Sequence, residues 1–348
     1  MSRRRVVAAT AARVLVLLAV AIGLLAVLLV VTGHEVVPAL TAMVRGAFGS
    51  YYAITSATIV RMVPLALAGL AVSVAFRAGL LNIGAEGQLL VGAAAATAIG
   101  GALIGVPGFV GIPVMLITGA LAGGAWAAIA GALRLRFGVL EVISTIMLNF
   151  VAQYLTGWLV RGPLQEPTRV NPQSATLAPE LQLPTLLDGT RLHAGVLLMV
   201  VVAIAVWWWL RSTASGFRVR AVGATATAAA SAGGIDVPRT LFGAFLVSGL
   251  LAGMAGSVEY TGITYALYEN FSPGYGYTAI AVALLARLHP LGVLATAFLF
   301  GALEAGANAM QRDAGVPSVV VSVVEALLIL LVLAADRWRS SRVDEAGT

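Results

Sequence analysis

The run Asn82-Ile83-Gly84-Ala85-Glu86-Gly87-Gln88 sets a carboxylate between two amides and among glycines, in a chain that is otherwise almost continuously apolar. An ionisable side chain flanked by hydrophobic runs of lipid length is costly to keep, so by default it marks a pathway, a binding site or a gate. The i,i+4 spacing of Asn82 and Glu86 recurs in Asn149 and Gln153 and in Glu304 and Asn308. Residues four apart share a helix face, and three such pairs would turn polar faces of several helices toward one cavity. The alternative is that buried amides and carboxylates bond between helices as packing glue. For the first pair a third use is open: if a helix starts at Asn82, that residue caps it and Glu86 complements its positive end. Capping and binding are compatible, because a discontinuous helix start that lines a cavity is a recurrent binding device. Tyr265, Tyr268, Tyr275 and Tyr277 cluster further along. They read either as an interfacial aromatic belt or as rings that stack on a planar base or sugar, with Tyr275 and Tyr277 the candidates.

Chemistry of other kinds is absent. There is no Walker-type phosphate loop, no His-Glu metal motif and no Ser/His/Asp arrangement, and His34, His193 and His289 sit near different span ends. With no cysteine, disulfides and thiolate sites are excluded. No cofactor, metal or catalytic residue is expected, and any ATP hydrolysis must come from another subunit.

The elements that position these residues are membrane spans. Of 348 residues 60% are hydrophobic and 10% charged, against roughly a quarter charged in soluble domains. At about 20 apolar residues per span, hydrophobic runs lie near 14–32, 53–76, 84–105, 108–133, 142–160, 193–210, 240–262, 275–286, 291–310 and 316–335. The expectation is an all-α, polytopic membrane protein of ten helices. The eighth run is too short to cross alone, so a half-helix or broken segment is expected there.

All 21 basic residues are arginine. With the N-terminus inside, fifteen fall on the cytoplasmic side and five (Arg45, Arg161, Arg169, Arg191 and Arg312) outside, with Arg61 within a span. That asymmetry expects both termini in the cytoplasm, and the net charge of +6 is not read as nucleic-acid affinity. The first run follows a basic stretch, but it is long and Thr32-Gly33-His34-Glu35 offers no cleavage site, so it is read as a retained anchor.

The expected layout is one transmembrane domain over 1–348. An anchor helix (14–32) precedes a first repeat (53–160), an external loop (161–192), a linking helix (193–210), a cytoplasmic loop (211–239) and a second repeat (240–335). The repeats have inverted topology, each with a Gly-interrupted element after its first helix: Asn82 to Gln88, and Ser272-Pro273-Gly274-Tyr275-Gly276-Tyr277. Paired interruptions of this kind point to a substrate path. The layout places Glu86 toward the cytoplasmic start of its helix and Gly274–Tyr277 on the outer side.

The segment from Asn82 to Gln88 resembles, nearly letter for letter, a signature of nucleoside-type permeases in the ABC-importer superfamily, which also includes ribose and branched-chain amino-acid permeases. Glu141 to Asn149, Gly274 to Leu285 and Gly301 to Gly306 resemble further blocks of that family, and the likeness runs from about residue 55 to 335. The loop at 216–239 is similar to the family's coupling segment, a short cytoplasmic helix that docks on the ATPase, which implies coupling roles for Arg220, Gly223, Ala228, Ala229, Gly234, Ile235 and Asp236. Thr225-Ala226 replaces the family's asparagine-proline, and the other reading of this loop is a solvated connector. The resemblance implies an ATPase subunit, a second related permease in a heterodimer, and an extracellular substrate-binding lipoprotein. It also implies a small-molecule substrate, a nucleoside before a simple sugar or branched-chain amino acid, carried across the inner membrane by alternating access. The rivals are an ion-coupled secondary transporter using Glu86, Glu304 or Glu325, and a membrane scaffold.

Overall fold

The computed structural model describes residues 19–20, 22–317, 319–320, 322–323 and 326. Most of the tenth run and Glu325 lie outside the described residues, as does the beginning of the first run. Among the described residues the regular structure is helical throughout, with no strand. The elements in chain order are α1 (Ile22–Val31), α2 (Val36–Phe48), a π-helical turn (Ala53–Thr58), α3 (Ile59–Arg77), α4 (Ala85–Ala102), α5 (Gly108–Phe137) and α6 (Glu141–Arg161). They continue with α7 (Gly195–Ser212), α8 (Ala214–Ala224), α9 (Ala226–Ser231), α10 (Val237–Glu259), a second π-helical turn (Tyr260–Thr264), α11 (Tyr275–Leu285) and α12 (Pro290–Ala314).

Among the described residues six helices are long and apolar enough to cross a membrane: Ala53–Arg77, Gly108–Phe137, Glu141–Arg161, Gly195–Ser212, Val237–Thr264 and Pro290–Ala314. Each coincides with a hydrophobic run of the sequence. The eighth run is the 11-residue α11, which at 1.5 Å per residue reaches only about 16 Å. α2 has no counterpart in the sequence reading, because its 13 residues are too few for a span.

The chain divides into two compact units, Met1–Thr58 with Ala302–Thr348, and Ile59–Gly301. In the first, α2 crosses the end of α12 where Gly46 faces Ala309 and Gly306 faces Met43, contacts too close for larger side chains. Glu304 and Asn308 belong to this unit.

In the second unit α4, α5 and α10 meet backbone to backbone. A methyl group added at Gly123 would lie 2.5 Å from the Gly249 carbonyl oxygen and 2.6 Å from the Gly253 Cα, and one at Gly119 would lie 2.7 Å from the Gly92 carbonyl oxygen. Glycines four apart on α5 (Gly119, Gly123) and on α10 (Gly249, Gly253) form one stripe on each helix. Such stripes let apolar helices gain dispersion contact where no hydrophobic force drives association. Around this seam Leu65, Leu67, Leu70, Leu89, Phe245 and Val258 are buried.

The segment 161–192 carries a short helix, Pro179–Leu181. It folds back along the end of α10: Ser174 N–H donates to Leu267 O (2.7 Å), Leu177 N–H to Tyr265 O (2.7 Å) and Leu183 N–H to Thr261 O (2.8 Å). It ends at His193, which is fully buried and wedged between Gly195 and Gly262, where an added methyl would lie 2.6 Å from the ring. The Gly195 N–H donates to His193 Nδ1 (3.2 Å), so the neutral ring keeps its proton on Nε2. Burial, aided by Arg191, pushes the imidazole down to about 4.

Two expectations follow. Gly253→Ala should lower stability by about 1–3 kcal/mol through overpacking, whereas Gly101→Ala, with open space at its Cβ, should be neutral or slightly stabilising; thermal unfolding in detergent separates them. Because the His193 pKa is lower folded than unfolded, the unfolded chain binds the extra proton. Stability should therefore fall as pH drops from about 6.5 toward about 4, and His193→Gln should flatten that part of the stability–pH curve.

Candidate functional site

The site forms where two interrupted segments meet. α4 does not start at Asn82 but at Ala85, with Gly84 before it, so Asn82 and Glu86 do not share a helix face and Asn82 is no helix cap. The reason is local. Asn82 Oδ1 accepts the Gly84 N–H (2.9 Å), a tight turn that competes with helix, while its Nδ2 donates to Ser248 Oγ on α10 (3.0 Å) and to Gln88 Oε1 (3.3 Å). Asn82 and Gln88 are buried at 0% and 2% exposure and spend their polar groups on each other and on α10. The Asn82 bond to α10 is of the kind that the packing alternative describes, and Gln88 bonds to Asn82 alone.

Glu86 lies in the first turn of α4, 6% exposed. Its Oε2 accepts the Gly276 N–H at 2.7 Å, and the Ser272 hydroxyl is a second donor. Ser272 Oγ in turn accepts the N–H groups of Gly274 and Tyr275 (3.1 Å each) at the start of α11. One carboxylate thus sits at the starts of two helices, where both dipoles present positive ends. Gly276 is required here: a methyl group on it would run into the backbone of Ala85 and Glu86. The two interruptions are in direct contact, which corrects the expectation that they lie on opposite sides. An 11-residue α11 starts deep within the unit, and its first residues reach the α4 start.

Asn149 on α6 closes the arrangement. Its Oδ1 accepts the Gly87 N–H (2.8 Å), and its Nδ2 donates to Ile83 O (2.9 Å) and to the Tyr277 hydroxyl (3.3 Å). Below it, Thr145 Oγ1 accepts the Ile83 N–H (3.3 Å). Glu141 accepts the Leu81 N–H (3.3 Å) and pairs with Arg134. α6 therefore holds residues 81–87 in place along one side.

Between these elements lies a cavity of about 250 Å³ lined by Glu86, Leu90, Asn149, Gln153, Thr156, Asn270, Phe271, Ser272, Pro273, Gly274 and Tyr277. Five sequence candidates (Glu86, Asn149, Gln153, Tyr277 and the Gly274 segment) thus share one pocket. Gln153 is exposed, its Nε2 only 3.4 Å from Asn270 Oδ1. Tyr275 is buried and lines no part of it, so it belongs neither to the pocket nor to an aromatic belt. Asn308 donates to the Glu304 carbonyl of its own helix (2.9 Å).

Of the lining residues, Thr156 and Asn270 were missed, and Ser272 was named only as part of the interrupted segment. Thr156 was within reach, since Asn149, Gln153 and Thr156 follow i, i+4, i+7. Asn270, at φ +60°, carries no spacing signal because it sits in a loop.

In the segment 211–239, Thr213 caps α8 by accepting the Gly216 N–H (3.1 Å). Gly223 packs on the backbone of Arg77 at the end of α3. Ala229 is buried and Ala228 exposed. α9 ends at the Gly233-Gly234 pair, Gly234 having φ +58°. Asp236 caps α10, its Oδ1 accepting the Arg239 N–H (3.0 Å). Gly234, Ile235 and Asp236 line a cleft of about 660 Å³ with Trp209, Arg218 and Arg239; Arg220 lies elsewhere, on a small cavity beside Arg77.

A family model described as branched-chain amino acid transport system, permease component, matches residues 54–333. The chain is 41% identical over 323 residues to the guanosine ABC transporter permease protein NupP of Bacillus subtilis, covering 91% of each chain. It is 37% identical over 338 residues to the glucose ABC transporter permease protein TsgB13 of Haloferax volcanii (94% of this chain, 88% of that one). It is 31% identical over 328 residues to the nucleoside ABC transporter permease protein NupB of Lactococcus lactis (91% and 89%). A second guanosine permease of the same Bacillus, NupQ, is 28% identical over 292 residues (80% and 90%). No solved structure matches the chain.

Removing the Ser272 hydroxyl takes away the acceptor for the Gly274 and Tyr275 N–H groups and a donor to Glu86. Ser272→Ala should cost about 1 kcal/mol, comparable to the loss of a helix cap, and Asn149→Ala more, because it leaves the Gly87 N–H and Ile83 carbonyl unpaired. Thermal unfolding of the two variants side by side checks the order.

Proposed function

We propose a function from one premise: the chain belongs to the family of permease components of the branched-chain amino acid transport system. It is a multi-pass membrane protein and a permease subunit of an ABC transporter. The substrate in this reading is a nucleoside, imported across the cell membrane by alternating access. The observation that carries it is the 41% identity, across 91% of both chains, to a permease named for guanosine. The site agrees in character. A cavity of about 250 Å³ with three amides, the Glu86 carboxylate, hydroxyls, Tyr277 and Phe271 on its walls offers hydrogen bonds and a ring face to a planar, polar solute. The permease named for glucose favours a second reading, a sugar, which would use the amides and hydroxyls without the ring.

In this mechanism Glu86, Asn149, Gln153 and Tyr277 line or gate the path, with Asn270, Ser272 and Thr156 added. Asn82 and Gln88 hold the α4 start, and Glu304 and Asn308 stay as pathway candidates on α12. The ATPase subunit docks on the exposed side of α8 and α9, and Ala228, Gly234 and Ile235 are open to it. The likeness to both NupP and NupQ of one organism supports a second, related permease as partner. An extracellular binding lipoprotein delivers the substrate. In this reading the α8–α9 segment and both termini lie in the cytoplasm, in a ten-span layout of two inverted repeats, which the arginine asymmetry supports.

The test is uptake into proteoliposomes holding the permease pair, the ATPase and the binding protein. Guanosine uptake should require ATP and persist with an uncoupler at constant ATP; collapse with the uncoupler would sink the ATPase-driven reading in favour of ion coupling. Glucose uptake without guanosine uptake would instead select the sugar. Glu86→Gln should lower uptake at least tenfold while membrane insertion and ATPase association persist, and unchanged uptake would reduce Glu86 to a packing role.

A further inference from the structure

A second polar cavity, separate from the transport pocket, lies where four elements end. It has a volume of about 160 Å³ and is lined by Arg77, Trp207, Leu210, Arg211, Arg220, His289 and Pro290. Three guanidinium groups and an imidazole share it without a carboxylate on its walls, and among the described residues none of the three arginines forms an ion pair with an acidic side chain. Elsewhere in the chain Arg134, Arg161 and Arg239 each have an acidic partner.

The cluster is held in place. Arg77, in the last turn of α3, donates Nε to the Leu288 carbonyl oxygen at 2.6 Å, which leaves its terminal nitrogens for another acceptor. That carbonyl is presented by two successive residues in the left-handed region, Arg287 (φ 51°) and Leu288 (φ 57°), a conformation that side-chain-bearing residues adopt at a cost. His289 follows. Its Nδ1 accepts the Gly292 N–H at 3.3 Å, so the neutral ring carries its proton on Nε2 as a donor. Arg211, in the last turn of α7, lies 5.6 Å from the Trp207 ring, and Arg220 on α8 lies 6.0 Å from the Phe217 ring. Neither ring contact neutralises the cation. Converging cations with free donors match a phosphate, which takes several charge-assisted bonds at once. Arg77 and Arg211 both end apolar spans, with a tryptophan on the wall, so the cavity is level with lipid headgroups. Basic pockets between spans are recognised binding places for anionic headgroups.

We propose that Arg77, Arg211, Arg220 and His289 form a binding site for a phosphate group, supplied by an anionic phospholipid headgroup. A phosphate bound there bridges α3, α7, α8 and the α11–α12 turn, and so ties the α8–α9 segment to the ends of the spans.

The purified complex in uncharged detergent should gain several degrees in melting temperature on titration with phosphatidylglycerol and none with phosphatidylcholine. In R211Q/H289Q the midpoint of that titration should rise at least tenfold, while R211K keeps most of the effect. The same stabilisation by millimolar inorganic phosphate, with the same dependence on the variants, supports the site but assigns it to a soluble phosphate. No shift with either anion, or a shift that R211Q/H289Q leaves unchanged, overturns it. An unchanged lipid response with loss of the co-purified ATPase subunit also overturns it, and makes the cluster a contact for acidic groups of a protein partner.

Discussion

Helix backbones touch only where the residues between them have no side chains, and that steric condition at Gly92, Gly119, Gly123, Gly249 and Gly253 governs the second unit. Where α4, α5 and α10 are in backbone contact there is no volume left between them, so a cavity has to form where the seam gives way. It does so at the start of α4, where Gly84 and Gly87 keep the chain narrow and the interrupted segment before α11 comes in. Polar atoms exposed by ending two helices in an apolar interior need partners. The partners are the side chains that make the site: Glu86 for Gly276, Ser272 for Gly274 and Tyr275, and Asn149 for Gly87 and Ile83.

This dual use explains why lining a cavity and bonding to neighbouring elements could not be separated in advance for Glu86 and Asn149. Asn149 spends three bonds on Ile83, Gly87 and Tyr277 and still lines the pocket. Such a residue both builds and furnishes the cavity, so its substitution alters shape and chemistry together. On the other side of the α4 start the Asn82 and Gln88 amides bond to each other, away from the pocket.

Six of the expected spans were legible because hydropathy over about 20 residues is a strong signal, and the short eighth run was legible for the same reason. The carboxylate at Glu86 stood out through its cost in apolar surroundings. What hydropathy does not carry is depth. The start of α4 and the start of α11 are 190 residues apart in the chain, and only the close approach of Gly276 to Ala85 and Glu86 brings them to one level. A loop polar residue such as Asn270 has no periodicity to betray it, and α2 is too short for a span signal. Asn82 was misplaced because an Asx-type turn and a helix cap share the same residue preference.

The pocket wall has two kinds of polar side chain, which differ in how freely they can diverge. Glu86, Asn149 and Ser272 are bonded to backbone that the fold needs. Gln153 and Asn270 are exposed and bonded only to each other, at 3.4 Å, and the Thr156 hydroxyl bonds back to the Ala152 carbonyl of its own helix (2.8 Å). Exchanging these three would redraw the hydrogen-bond pattern offered to a solute without disturbing either helix start. Under the proposed function, a scaffold divided in this way changes its solute by drift at a few tolerant positions, which suits a family whose members are named for guanosine and for glucose.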